Sequence, residues 1–105
     1  MQVNLSTDNH IDGGGRKDSY WSAIAQEKLK RYEDQITSLE IHLHNHNSGA
    51  KQGAEDKECK IEARLNGRPN QSVSCKSDSV EKSISGALDK MKNLLEHTYD
   101  KLKTH

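Results

Sequence analysis

The chain has 105 residues, enough for one domain and too few for two. Hydrophobic residues make up 30% and charged residues another 30%, which confines it to a thin, closely patterned core under a large wet surface. Its 16 Lys and Arg balance its 16 Asp and Glu, so bulk electrostatic attraction to nucleic acid or membrane is excluded, and binding of that kind needs a local patch.

No apolar run is long enough to span a bilayer, and the start shows no signal-peptide pattern. Gln2–Thr7 reads as a first strand with Val3 and Leu5 inward. Asp8–Gly15 follows as a connecting loop. Its run of three glycines lacks the spacing of a phosphate loop, and no Lys-Ser pair follows it.

A first helix is expected from about Arg16 to Tyr32, with Asp18 as its N-terminal cap. Trp21, Ala25, Leu29 and Tyr32 are spaced four, four and three, which makes one face, and Ile24 widens it. Lys28, Lys30 and Arg31 fall to the side or outside. Glu33–Gln35 is polar and ends the helix.

The stretch Ile36–Asn47 organises the chain. Leu39, Ile41 and Leu43 alternate with Glu40, His42 and His44, the mark of a strand with one buried and one wet face. The polar segment 45–57, with Gly49 and Gly53, reads as a flexible loop joining two antiparallel strands. The third strand, about Glu58–Leu65, turns Cys59, Ile61, Ala63 and Leu65 one way and Lys60, Glu62 and Arg64 the other. Asn66-Gly67 is a hairpin signal of type I′, and Pro69 lies in the same turn region. The fourth strand, about Gln71–Lys76, places Val73 and Cys75 inward.

The last helix carries a stripe of Val80, Ile84, Ala87, Leu88, Met91, Leu95 and Leu102 over about six turns. Asp78 and Glu81 form a capping-box-like pair at its start. Gly86 lies inside it at a cost of roughly 1 kcal/mol relative to alanine, which close packing against a neighbour would explain.

Each strand has one apolar face, so both helices must lie on the same side of the sheet. The expected fold is α+β: a two-layer β-α-β-β-β-α sandwich with a four-stranded mixed sheet, one domain over 1–105. The helical crossover makes strands one and two parallel. The other face, with Glu40, His42, His44, Lys60, Glu62, Arg64, Ser72, Ser74 and Lys76, is left to solvent.

Cys59 and Cys75 sit at buried-parity positions and read as small buried thiols of a reducing cytosol. They form no CxxC motif. His42, His44 and His46 share one strand face at about 7 Å intervals and could hold Zn²⁺ or Cu²⁺ if the strand bends. No carboxylate or cysteine is placed to complete that site, so no metal is expected. No nucleophile–base pair, paired-carboxylate motif or cofactor loop can be named, so neither an enzyme nor a cofactor is expected. Phe is absent, and Trp21 and Tyr32 read as core, not as a platform for stacked bases.

The opening MQVNLSTDNHID, the run KLKRYEDQITSLEIHL, the segment EDKECKIEARLNGR and the helix SVEKSISGALDKMKNLL, in this order and spacing, resemble the ribosome hibernation-promoting factor family, also called ribosome-associated inhibitors or sigma-54 modulation proteins. The resemblance covers nearly the whole chain. It implies the β-α-β-β-β-α fold, docked in the decoding region of the small ribosomal subunit, where it blocks messenger and transfer RNA sites under stress. It also implies a cytoplasmic protein, monomeric when free, with neither a membrane nor a small-molecule substrate. The end at His105 suggests a short form without the domain through which long forms pair ribosomes.

In the family, basic side chains on the exposed helix surfaces contact ribosomal RNA. Lys28 and Arg31 match the run Lys28-Leu29-Lys30-Arg31-Tyr32, and Lys90 matches Asp89-Lys90-Met91. With both helices on one side, the three are expected to converge on one surface. Asn93 stands where the family often has arginine, and Glu27, Glu33, Asp34 and Glu96 dilute the basic surface. The same fold without ribosome binding, acting as a protein-interaction module or weak metal binder, is the alternative.

Overall fold

A computed structural model describes residues 1–7, 18–45 and 57–100. The elements run β1 (Gln2–Thr7), α1 (Asp18–Lys28), β2 (Ile36–Asn45), β3 (Lys57–Leu65), β4 (Gln71–Ser77) and α2 (Val80–Asp100). The strands form one sheet in the order β1-β2-β3-β4. β1 and β2 are parallel; β2–β3 and β3–β4 are antiparallel. The α+β sandwich expected from the sequence is present.

The register shows why alternation suffices to build the core. Leu5, Ile41, Ile61 and Val73 are successive partners across all four strands, and Val3, Leu39 and Ala63 make a second row. Trp21 and Ala25 of α1, Leu29 just after it, and Ile84, Ala87, Leu88, Met91 and Leu95 of α2 close over these rows in a single buried cluster. Both helices therefore cover the same face. Leu39, Ile41, Leu43, Ile61, Ile84, Leu88 and Met91 are all buried. Leu102 lies outside the described residues, as do the Asp8–Gly15 loop and His46.

On the opposite face Glu58 is 7% exposed, although it shares the outward parity of Lys60 and Glu62. Its register partners, His44 on β2 and Lys76 on β4, flank it on both sides.

Several local expectations change. α1 stops at Lys28, and a one-turn 3-10 helix, Lys30–Tyr32, follows. Leu29 leaves helical geometry at φ −106°, ψ 16°, and Tyr32 N donates to Leu29 O at 2.9 Å. The three-residue last step of the apolar spacing is thus a tighter turn, which brings Tyr32 over Leu29. The start expected at Arg16, and the cap expected at Asp18, fall outside the described backbone and side chains.

The cap of α2 is Ser79, not Asp78. Ser79 O accepts the first helical bond from Ser83 N at 3.1 Å, and Ser79 Oγ accepts from Lys82 N at 3.1 Å. That puts Lys82 at the third helical position, so Glu81 cannot close a capping box. Asp78 pairs instead with Lys82 Nζ at 3.5 Å.

The hairpin turn is not type I′. Gly67 has φ +68°, but among the described residues no residue other than glycine has positive φ, so Asn66 lacks the geometry that type requires. Asn66 is held elsewhere. Its N–H donates to Gln35 O at 2.9 Å, its Nδ2 donates to Asp34 O at 3.2 Å, and its Oδ1 accepts from Thr37 Oγ1 at 2.9 Å. Thr37 is the extra residue of a β-bulge between Ile36 and Ser38. The bulge resets the alternation, so Ile36 joins the core with Leu39 despite its opposite parity.

The segment expected as a loop over 45–57 is shorter at both ends, because Asn45 and Lys57 are ladder partners. Its interior, 46–56, lies outside the described residues. The interior glycine of α2 has a physical cause. A Cβ on Gly86 would stand 2.5 Å from Cys75 Sγ and 3.5 Å from its Cβ, so the helix backbone lies directly on the Cys75 side chain.

Candidate ribosome-facing surface

The three basic residues singled out in the sequence are all ordered by partners within the chain. Lys28, in the last turn of α1, reaches Asp89 on α2, with Nζ 2.6 Å from Oδ1. Arg31, in the 3-10 turn, donates from Nη2 to Asp100 Oδ1 at 3.0 Å. Its guanidinium carbon lies 5.4 Å from the centre of the Tyr32 ring, which itself stacks on Tyr99 at 5.9 Å. Both cations thus sit on the seam between the helices, and both pairs remain partly exposed.

Lys90 goes elsewhere. Its Nζ donates to the main-chain oxygen of Ser74 on β4 at 2.8 Å, at the edge of the sheet. Neighbouring helix residues point about 100° apart. Asp89 faces α1, so Lys90 turns to the opposite flank. The structure brings Lys28 and Arg31 together and sets Lys90 apart from them; the convergence expected of all three is not formed.

Reasoning from sequence also missed two acids that matter, Asp89 and Asp100. Asp89, Asn93, Glu96 and Asp100 are spaced four, three and four, which makes a stripe along the α1-facing side of α2. Of these, only Glu96 was marked as diluting the basic surface. The stripe was visible as helical spacing beside the apolar one. Its charge is felt at the Tyr32 phenol, whose pKa burial raises, Arg31 lowers, and Asp100 and Glu96 raise further. Arg68, from the β3–β4 turn, adds a third cation near this end of the seam, 5.2 Å from the Tyr99 ring centre.

On the open sheet face, polar side chains bond along the register. Asn4 Nδ2 donates to Glu40 Oε2 at 2.8 Å, and Ser6 Oγ and His42 Nδ1 are hydrogen-bonded at 2.9 Å. Among the described residues, no three of His, Cys, Asp and Glu gather as metal ligands would. No helix among them is long and apolar enough to cross a membrane.

A family model described as sigma 54 modulation protein / S30EA ribosomal protein matches residues 7–103. The chain belongs to this family. Members of the family are non-enzymatic binding proteins. Among solved structures, the chain is similar to the N-terminal domain of Protein Y from Thermus thermophilus. The TM-score is 0.68 and identity 17%, covering 93% of this chain and 99% of that one. It is also similar to a ribosomal subunit interface protein from Coxiella burnetii. There the TM-score is 0.66 and identity 18%, covering 93% of this chain and 97% of that one. At these identities the likeness shows a shared fold. A search of curated proteins finds no match.

Proposed function

We propose that this chain is a ribosome-associated hibernation factor, which binds the small ribosomal subunit in its decoding region and inhibits translation under stress. Membership of the family over residues 7–103 is the observation that carries this reading. The fold shared with a ribosomal subunit interface protein supports it. The partner is ribosomal RNA, the compartment is the cytoplasm, and the free protein is a monomer.

Lys28 and Arg31 on the seam, and Lys90 on the flank of α2, are the proposed phosphate contacts. Each gives up an internal partner on docking: Asp89, Asp100 and the Ser74 carbonyl. Exposed ion pairs contribute about 0–1 kcal/mol, so RNA phosphate can displace them.

Cosedimentation with purified small subunits tests the reading. Three phosphate contacts give a log–log salt slope of about −2 to −3. Replacing Lys28, Arg31 and Lys90 together by glutamine removes the charges without setting a carboxylate against Asp89 or Asp100. That variant is expected to lose binding at near-physiological salt, while Arg64→Glu on the open sheet face binds normally. The reverse pattern would move the docking face to the sheet.

A second reading, a protein-interaction module that has kept the fold without the ribosome, draws on the same seam. Its Lys28 and Arg31 are already paired with carboxylates of the acidic stripe. Absence of wild-type cosedimentation at low salt would favour it.

A further inference from the structure

We propose that Cys59 and Cys75 are a reversible modification site: a thiol pair that a low-molecular-weight disulfide of the glutathione class converts into a cross-strand disulfide, with Cys75 reacting first.

Four observations support the pair. Cys59 and Cys75 are direct partners in the antiparallel β3–β4 register. Residues so opposed have Cα atoms about 4.5–5.5 Å apart, inside the range of roughly 4.4–6.8 Å that a disulfide spans. The register therefore sets the two backbones at a separation a disulfide can bridge. Both side chains also share the helix-facing side of the sheet, and both are free thiols.

The second observation is an asymmetry of access. Cys59 is fully buried, whereas Cys75 is half-buried on the edge strand. A small oxidant in solution meets Cys75 and not Cys59. Chemistry runs the same way, because burial pushes the Cys59 thiol up to about 12, with Cys75 and Glu58 adding to the rise. It stays protonated and is a poor first nucleophile.

The third observation is the seat of the Cys75 sulfur. It rests where Gly86 of α2 has no side chain. A side chain there would stand 2.5 Å from that sulfur, so the glycine leaves the Cys75 side chain the room it occupies on the helix-facing side of β4. The fourth is arithmetic: the chain has 2 cysteines, so no third thiol competes within the molecule.

The exchange balances as follows. Cys75 loses its proton to solvent, and its thiolate attacks one sulfur of the small disulfide. One small thiolate leaves and takes up a proton. Cys59 then gives up its proton, and its sulfur attacks that of Cys75, which displaces the second small thiolate. The two protein thiols are oxidised, and one small disulfide is reduced to two small thiols. Excess dithiol restores both protein thiols by the same kind of exchange and is itself oxidised to a disulfide.

The test uses the full chain with oxidised glutathione under native conditions, followed by intact mass spectrometry. The wild type is expected to lose two hydrogen masses, to hold no thiol titratable after denaturation, and to regain both with dithiothreitol. The Cys59→Ala chain is expected to stop as a single glutathione adduct on Cys75. The Cys75→Ala chain is expected to take up none. A stable wild-type adduct, two thiols that remain titratable, a disulfide-linked dimer, or equal modification of the two variants would each overturn the proposal. Should either variant fail to fold, peptide mapping of the early wild-type adduct decides the order: glutathione on Cys75 supports it, and glutathione on Cys59 overturns it.

Discussion

Lys28 Nζ and Asp89 Oδ1 lie 2.6 Å apart, and this contact joins the end of α1 to the middle of α2. The pair is partly exposed, so its contribution to stability is small, about 0–1 kcal/mol. Its larger consequence follows from the docking proposed above, in which the carboxylate occupies the place a phosphate would take. Asp89→Asn is expected to tighten small-subunit binding several-fold while lowering stability by less than about 1 kcal/mol. Titrated cosedimentation and urea unfolding check the two halves. Unchanged affinity in a chain that does bind would show that Lys28 is not a contact.

Gly86 and Cys75 form a second coupled pair. Alanine at position 86 gains about 1 kcal/mol of helix propensity, while overpacking costs about 1–3 kcal/mol. With Cys75 Sγ standing 2.5 Å from the added Cβ, the clash is expected to win, and Gly86→Ala destabilises. In a Cys75→Ala background the obstacle is gone, and the same substitution becomes neutral or stabilising. Urea unfolding of the four proteins gives the coupling directly. A destabilisation that persists without the sulfur would place the cause elsewhere.

The N-terminus of α2 offers a simpler comparison. Ser79 Oγ accepts from Lys82 N–H, so Ser79→Ala is expected to cost about 1 kcal/mol. Asp78→Ala removes two exposed contacts, the pair with Lys82 and the hydrogen bond from Ser77 Oγ, and should cost less than that. Denaturation midpoints at matched pH rank the two, and the opposite ranking would restore Asp78 as the cap.

Stability should also depend on pH in a defined window. The folded-state pKa of Cys59 is raised from an ordinary value of 9.0 to about 12 by burial, chiefly. Below about pH 9 both folded and unfolded states hold the proton, and stability is flat with respect to this group. Between about pH 9 and 12 the unfolded state releases it first, binds fewer protons than the folded state, and becomes favoured. Stability from this group is therefore present below about 9 and lost as pH rises towards 12. The Tyr32 phenol, also raised, acts in the same direction. Unfolding of the wild type and Cys59→Ala at about pH 8 and 10.5 is expected to show a steeper loss in the wild type. Parallel losses would mean the thiol does not contribute.

The sheet was legible because its signal is periodic and local. Leu39, Ile41 and Leu43, with Cys59, Ile61 and Ala63, needed only alternation to find their places. The hidden features are those where one residue breaks a period or a long side chain chooses among partners. Nothing in the residue types marks Thr37 as the bulge that carries Ile36 inward. Ser79 and Asp78 are both good caps, and only main-chain geometry separates them. At the candidate site, sequence located the cations but not their bonds, because a lysine side chain reaches far enough to meet α1, β4 or solvent. The side of α2 that Lys90 takes was fixed by Asp89, its neighbour in the chain.

The strand order, which follows the order of the chain, has a consequence for how the molecule assembles. β2, β3, β4 and α2 connect each element to its spatial neighbour, so residues 36–100 can zip together through contacts close in sequence. β1 cannot join until α1 has crossed the sheet to bring it beside β2, which is a costlier loop closure. The Val3 and Leu5 side chains that hold it are only partly buried. β1 with α1 should therefore be the last part to dock and the first to open. Native-state hydrogen exchange is expected to show β1 amides exchanging through a lower-energy opening than those of β3. Equal protection of the two strands would mean that the whole sheet forms and opens as one unit.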